Sequence, residues 1–319
     1  MTRFLVRRIS HGVLVLVLIT MMVFALFYVA PNNVARTLAG RQATPETIAL
    51  IERRLGLDQP VWRQYLDFCW NALHGDLGFD YYHQVPVTTI IAQALPATLS
   101  LALGAAVIWI LLGVVGGVLA AVRARSWVDR AITGSALFFY SMPTFLLGLL
   151  LLFVCYYELT LAGLTIFPPG GYFPFTENPL EWMRHLVLPW LTLALVLAAT
   201  YTRLTRGSML DVMDEDYIRT ARSKGLRERR VIYRHGLRSA LTPVVTQFGI
   251  DLGQLVGGVI VTETVFSIDG LGKTAIDAIT QQDRPVIIGI VMFAAVAVVV
   301  ANVLVDLAYA VLDPRVRLH

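Results

Sequence analysis

Charge is scarce in this sequence. Asp, Glu, Lys and Arg make up only 15% of its 319 residues, whereas 56% are hydrophobic. Soluble domains run to about a quarter charged and half apolar. With a mean hydropathy of +0.66, the chain is excluded from that class. Cysteine is scarcer still. Cys69 and Cys155 are the only two, with no CxxC spacing and no Cys/His cluster. That argues against a disulfide framework and against a metal centre. A complete phosphate-binding loop is also missing. Gly270-Leu271-Gly272-Lys273-Thr274 resembles the end of one, but Ser267 occupies the position that needs the first glycine. No catalytic constellation is left, so the chain is not expected to be an enzyme.

Long apolar runs take the place of charge. Crossing the hydrocarbon core takes about 20 mainly apolar residues. Six stretches qualify: Gly12 to Ala30, Ala97 to Val122, Ala131 to Tyr156, Leu186 to Tyr201, Leu241 to Val261, and Val286 to Val311. The first follows Arg3, Arg7 and Arg8, but it is longer than the core of a cleaved signal peptide, about 7–15 residues. It therefore reads as a membrane span. With the N-terminus in the cytoplasm, 18 of the 26 Lys and Arg fall on the inner side and 8 on the outer. Basic residues favour the cytoplasmic side. The net charge of +4 thus reflects membrane topology and not a nucleic-acid-binding patch. The expected fold is an all-α polytopic membrane protein with six transmembrane helices and both termini cytoplasmic. The expected divisions are residues 1–30 for the N-terminal tail and first span, 31–96 for a small helical extracytoplasmic domain, 97–311 for a five-helix core, and 312–319 for a cytoplasmic tail.

Turn and cap signals organise the outer segments. In residues 31–96, Thr44, Pro45 and Gly56 bound a helix with Ile48, Ile51 and Leu55 on one face. A second helix starts near Pro60, with Trp62, Leu66, Cys69 and Leu73 on a shared face. Residues 158–185 are rich in Pro and Gly and read as a loop. Residues 263–285 hold a possible short helix from Lys273 to Ile279. The inner segment 203–240 is polar and compatible with helix. Asp214, Glu215 and Asp216 suit a helix start, and Gly225 suits its end. A second short helix is expected from Arg227 to His235. Two short helices with little apolar surface make a docking element, not a domain.

The run Asp216-Tyr217-Ile218-Arg219-Thr220-Ala221-Arg222-Ser223-Lys224-Gly225-Leu226 resembles the coupling motif of the peptide-type permeases of ATP-binding-cassette importers. That group comprises dipeptide, oligopeptide, glutathione and nickel systems. The resemblance covers essentially the whole chain. His235, Pro243, Leu55-Gly56-Leu57-Asp58 with Pro60, Gly75-Asp76-Leu77-Gly78, Ser141-Met142-Pro143, Glu263-Thr264-Val265-Phe266 and Leu312-Asp313-Pro314-Arg315 match in order and spacing. Two departures stand out. Pro31-Asn32-Asn33-Val34 replaces the usual Pro-Gly-Asp-Pro, and Arg219-Thr220-Ala221 stands where the general importer motif begins Glu-Ala-Ala.

The resemblance implies a permease subunit in a bacterial inner or plasma membrane, surrounded by lipid. It would pair with a second homologous permease, with two ATPase subunits or one fused ATPase, and with an extracytoplasmic substrate-binding protein. ATP and magnesium would be held by the ATPases, leaving this chain without cofactor or metal. Short peptides are the expected cargo, with nickel chelates or glutathione as alternatives. An ion-driven secondary transporter is the competing reading, but it would need more carboxylates at the midplane.

The fifth span carries two patterns. Gly249, Gly253 and Gly257 form a small-residue packing stripe. Gln247, Asp251 and Gln254 lie on a different side. An aspartate inside the bilayer costs about 2.5–3.5 kcal/mol on insertion scales, so it should face protein or water. Asp251 and Asn302 fall at similar depth. These four polar residues are expected to line the translocation pathway or to bond across helices.

Overall fold

The computed structural model describes residues 2–29, 44–46, 49 and 59–312, except for the side chains at 2–6, 9, 28–29, 252–258 and 304–312. Most of the expected helix between Thr44 and Gly56 lies outside these residues. So do Pro31-Asn32-Asn33-Val34, Leu55 to Asp58 and the tail beyond Leu312. Among the described residues the chain is helical, with one isolated β-bridge between Phe79 and Pro86. Five helical segments among the described residues are long and apolar enough to cross a membrane: Ser10–Phe27, Val87–Val122, Thr144–Leu161, Pro179–Met213 and Arg284–Val303. The chain is therefore a polytopic α-helical membrane protein.

The helices in chain order are α1 (Thr2–Phe24), α2 (Val61–Leu73), α3 (Val87–Val122), α4 (Trp127–Tyr140), α5 (Thr144–Leu151), α6 (Pro179–Met213), α7 (Asp216–Ser223), α8 (Leu237–Val265), α9 (Leu271–Gln281) and α10 (Arg284–Leu312). Wider π turns extend α1 over Ala25–Val29 and α5 over Leu152–Glu158, and another over Val231–Gly236 leads into α8.

Three expectations need correction. The third expected span, Ala131 to Tyr156, is not one helix. It breaks at Ser141-Met142-Pro143, between α4 and α5. Pro143 has no N–H to donate and disfavours helical backbone at the residue before it. The fourth span does not end at Tyr201, because α6 continues unbroken to Met213 and takes in much of the expected inner segment. The short helix expected over Arg227–His235 is a single α turn, Glu228–Arg230, followed by the π turn.

The chain forms two compact units, one of residues 1–94 with 274–319 and the other of residues 95–273. In the first, α1 packs on α10 so closely that a Cβ on Gly12 would sit 2.8 Å from Val299 Cγ1. Val23, Ile288 and Met292 form the buried contact, with Phe68 and Ala72 of α2 against it. Here α2 differs from its expected face. Trp62, Leu66 and Leu73 are exposed. Tyr65 and Phe68 turn inward instead, with the Tyr65 ring edge-on to Phe24 at 5.4 Å and its hydroxyl 2.9 Å from Thr20 Oγ1. Helical period identifies an apolar face, but α2 has apolar residues on two sides, and a neighbouring aromatic ring selects between them.

The second unit is built around α6. Asn178 caps its start by accepting from the backbone N–H of Leu180 and Glu181, with Pro179 in the first turn where no N–H is needed. Trp109, Leu186, Tyr201 and Phe266 lie in its core. Three glycines of α3 face α6 without side chains: a Cβ on Gly104 would overlap the Trp190 ring, one on Gly113 would overlap Tyr201 Cβ, and one on Gly117 would lie 2.5 Å from Thr205 Cβ. Small residues allow two membrane helices to approach this closely. The Trp190 indole N–H fixes the contact by donating to the Ser100 carbonyl at 2.9 Å.

Gly117→Ala would press on backbone atoms of α6, at 2.8 Å from the Thr202 carbonyl oxygen and 3.0 Å from the Arg206 nitrogen. It is expected to destabilise the protein by about 1–3 kcal/mol. At Gly207 an added Cβ would meet no atom within 4 Å, so Gly207→Ala should be neutral or stabilising by up to about 1 kcal/mol. Thermal unfolding in detergent, comparing the two variants, checks this.

Candidate functional site

The segment Asp216 to Leu226 folds as a compact elbow. Its helix α7 has two faces. Ile218 and Ala221 are buried together with Val231, against Val212 and Met213 at the end of α6 and against Leu226. Asp216, Tyr217, Arg219, Thr220, Arg222, Ser223, Lys224 and Gly225 are exposed. Asp216 sits in the first turn and Arg222 in the last, which suits the helix dipole. Gly225 turns the chain with φ +74°, a left-handed backbone that glycine adopts at little cost. Arg222 then clamps the returning chain, donating to Glu228 Oε1 at 2.8 Å and Oε2 at 3.3 Å. This pairing lowers the Glu228 carboxyl pKa below its ordinary value. His235 stands in the π turn, and Pro243 lies exposed within α8. The elbow is thereby tied to the end of α6 and to the start of α8.

A second anchor lies outside the elbow. Asp129 near the start of α4 accepts from Arg206 through both oxygens, at 2.7 and 2.8 Å. It also accepts from the Arg125 backbone N–H at 2.9 Å, while its own N–H donates to Ser126 Oγ. This is a helix cap whose carboxylate also grips a neighbouring helix. The Arg206 guanidinium, with these further hydrogen bonds, holds the Asp129 carboxyl far below the usual carboxylate range. Sequence reasoning misses the pair. The Ser126-x-x-Asp129 spacing is available as a signal, but nothing local names Arg206 as its partner.

The pathway candidates fall in two compact units. Asp251, half-buried on α8, accepts from the Tyr201 hydroxyl at 2.8 Å and from Gln247 Nε2 at 2.8 Å. The i, i+4 spacing brings Gln247 to it, whereas Tyr201 comes from α6 and leaves no sequence signal. Gln254, Gly253 and Gly257 lie on α8 at positions whose side chains are outside the described residues, and Gly249 is buried. Asn302 is exposed on α10, in the other compact unit.

The loop-like glycines at 270 and 272 have a structural role. Glu263, fully buried, accepts from Thr98 Oγ1 at 2.6 Å and from the Lys273 backbone N–H at 3.0 Å, while the Leu271 N–H donates to Thr98 Oγ1. A Cβ at Gly270 would overlap this carboxylate. The start of α9 is thus an anion site filled from within the chain. Burial pushes the Glu263 carboxyl pKa up against these hydrogen bonds.

A second pair of carboxyls lies beyond the end of α9. Asp80 and Asp283 are buried and hydrogen-bonded to each other. Asp80 also accepts from the Tyr82 and His83 backbone N–H and lies 2.5 Å from His83 Nδ1, while Asp283 accepts from the Tyr81 N–H at 3.0 Å. Burial and the neighbouring Asp80 charge push Asp283 up to about 6; Asp80, despite its own burial, is lowered to about 2 by its hydrogen bonds. One proton is therefore shared between two acids.

These groups define the class: a multi-pass helical membrane protein with a structured elbow held between two of its helices. The chain belongs to the family of inner membrane components of binding-protein-dependent transport systems. Residues 113–318 match that family, and residues 1–102 match its N-terminal membrane component. It is the permease component of an importer of this kind. It is 41% identical over 317 residues to a putative peptide transport system permease protein of Brucella abortus, covering 99% of each chain. It is 38% identical over 336 residues to the dipeptide transport system permease protein of Escherichia coli, again covering 99% of each. A probable peptide ABC transporter permease protein of Sinorhizobium fredii is 35% identical over 314 residues, covering 98% of this chain and 99% of that one.

The Asp80–Asp283 pair carries a pH signature. A raised carboxyl pKa adds stability at low pH that is lost as pH rises through about 6, whereas the lowered one adds stability above about 4 that is lost as pH falls through about 2. The contribution of the pair is therefore greatest near about pH 4 and falls as pH rises from about 4 to about 6. Thermal unfolding should show the wild-type protein losing stability from about pH 4 to about pH 6, and Asp283→Asn, which cannot ionise, should flatten that slope.

Proposed function

We propose that this chain forms half of a translocation pathway for short peptides across a bacterial inner membrane. Six spans cross the bilayer, with α8 as the fifth and both termini in the cytoplasm. A second homologous permease completes the pathway, two cytoplasmic ATPase subunits or one fused ATPase drive it, and an extracytoplasmic binding protein delivers cargo. Hydrolysis belongs to the ATPases, where ATP and magnesium bind; this chain needs no cofactor of its own. The peptide cargo rests on the names of its relatives, and nickel chelates or glutathione are the alternatives.

The elbow carries the coupling part of this reading. Its buried face, Ile218 and Ala221 against Val231, joins α7 to the end of α6 and to the lead-in of α8. Its other face offers Tyr217 and Arg219 to a partner. A helix fixed at both ends to long rods can transmit a displacement, whereas a free loop would absorb it. The pathway part rests on Asp251, a half-buried carboxylate held between α6 and α8. When α6 and α8 move, its two hydrogen bonds must stretch or exchange, so the residue is placed to follow the switch.

Two outcomes test the reading in reconstituted vesicles. Uptake of a dipeptide should require binding protein, both permeases, the ATPases and ATP, and an imposed ion gradient alone should give none. Tyr217→Asp should lower ATP-driven uptake at least tenfold while the permease pair still assembles; full-rate uptake by this variant would remove the elbow from coupling. Separately, Asp251→Asn should lower uptake several-fold with assembly and ATPase activity retained, and unchanged uptake would leave Asp251 a structural group only.

A further inference from the structure

Arg203 is a cation that the coupling machinery does not use. It lies on α6 one turn from Arg206, but the Asp129 carboxylate is taken up by Arg206. Among the described residues Arg203 has no carboxylate partner. Its guanidinium carbon stands 5.9 Å from the centre of the Tyr140 ring. Both residues line a cleft between α4 and α6 of about 120 Å³, together with Thr133, Leu137, Thr202 and Arg206. The cleft therefore combines a cation and an aromatic face in a space that admits a single small anionic group.

The direction in which Arg203 reaches is informative. The Asp129–Arg206 pair sets the register of these antiparallel helices and places Arg203 opposite position 132 of α4. Tyr140 lies eight residues further along, about 12 Å at 1.5 Å per residue. An arginine facing lipid bends toward the nearest aqueous end of its helix. Arg203 instead meets Tyr140, the last residue of α4 before the break at Ser141-Met142-Pro143. Backbone interrupted at membrane depth occurs where it is covered by protein or lines a water-filled cavity. A charge beside such a break suits an aqueous path better than lipid.

We infer that the Arg203–Tyr140 cleft is a binding site for the terminal carboxylate of a peptide in transit. The inference rests on the transport reading above and gives it a second contact point, on a different face of α6 from Asp251. A guanidinium presents two parallel N–H groups that match a carboxylate. The Tyr140 face holds the guanidinium plane without neutralising it. Arg206, already paired, sets the position of α6 and leaves Arg203 available.

The test uses L-alanyl-4-benzoylphenylalanine as a photoreactive dipeptide on the purified permease pair. It should crosslink within residues 133–140 or 199–206. Alanylphenylalanine should displace it, and the C-terminal amide of the same dipeptide should not. Arg203→Gln should cut labelling tenfold or more, and Arg203→Lys should restore part of it. In the full reconstituted transporter, with binding protein saturated by either peptide, Arg203→Gln should slow the free acid tenfold and the amide less than twofold. Equal loss for both peptides, or no loss for either, overturns the inference. So does a defect confined to vesicles containing phosphatidylglycerol, which would assign the cleft to a lipid phosphate. If wild-type crosslinking holds but ATP-driven uptake is absent, the site stands and the transport reading fails. If uptake holds without crosslinking, the site falls alone.

Discussion

The close approach of α3 to α6 is the contact on which the rest depends. Glycines at 104, 113 and 117 of α3 leave room for Trp190, Tyr201 and Thr205. With no hydrophobic drive between helices in lipid, such packing, together with a few hydrogen bonds, is what holds two spans in register. That register fixes α6 as the mast of its unit. From α6 come Tyr201, which bonds Asp251, Arg206, which bonds Asp129, and at its end the apolar seat of the elbow. A shift of one residue between α3 and α6 would misplace all three.

Charge is placed sparingly and, where buried, is mostly answered. Asp129 has a guanidinium and a backbone N–H, Glu263 has the start of a helix, and Asp80 has Asp283 with several backbone donors. Each buried acid thereby ties together segments distant in sequence. The cost of burying charge is large without such partners, so these contacts fix specific arrangements as well as adding stability. Arg203 differs from this pattern by standing open beside an aromatic ring.

Several features are legible from the sequence because their causes are local. Long apolar runs mark the spans, and the extent of the elbow follows from Asp216 at its start and Gly225 at its end. The i, i+4 spacing places Gln247 beside Asp251. Others are not legible because their causes lie elsewhere in the chain. Nothing in the sequence singles out Gly104, Gly113 and Gly117 of α3, and only the side chains of α6 reveal their close approach. Pro143 reads as part of a motif, and its effect on helix continuity emerges only with α4 and α5 as separate helices. Helical period assigns the apolar face of α2 to Trp62 and Leu66, whereas Phe24 of α1 favours Tyr65 and Phe68.

The sequence by itself determined a membrane-spanning helical chain with a polar elbow, because hydropathy, proline and glycine act over a few residues at a time. Tertiary structure alone decided which acid meets which base, which glycine is a contact and which aromatic is buried. Those choices depend on atoms brought within a few ångströms by the packing of whole helices, and no local pattern encodes that distance.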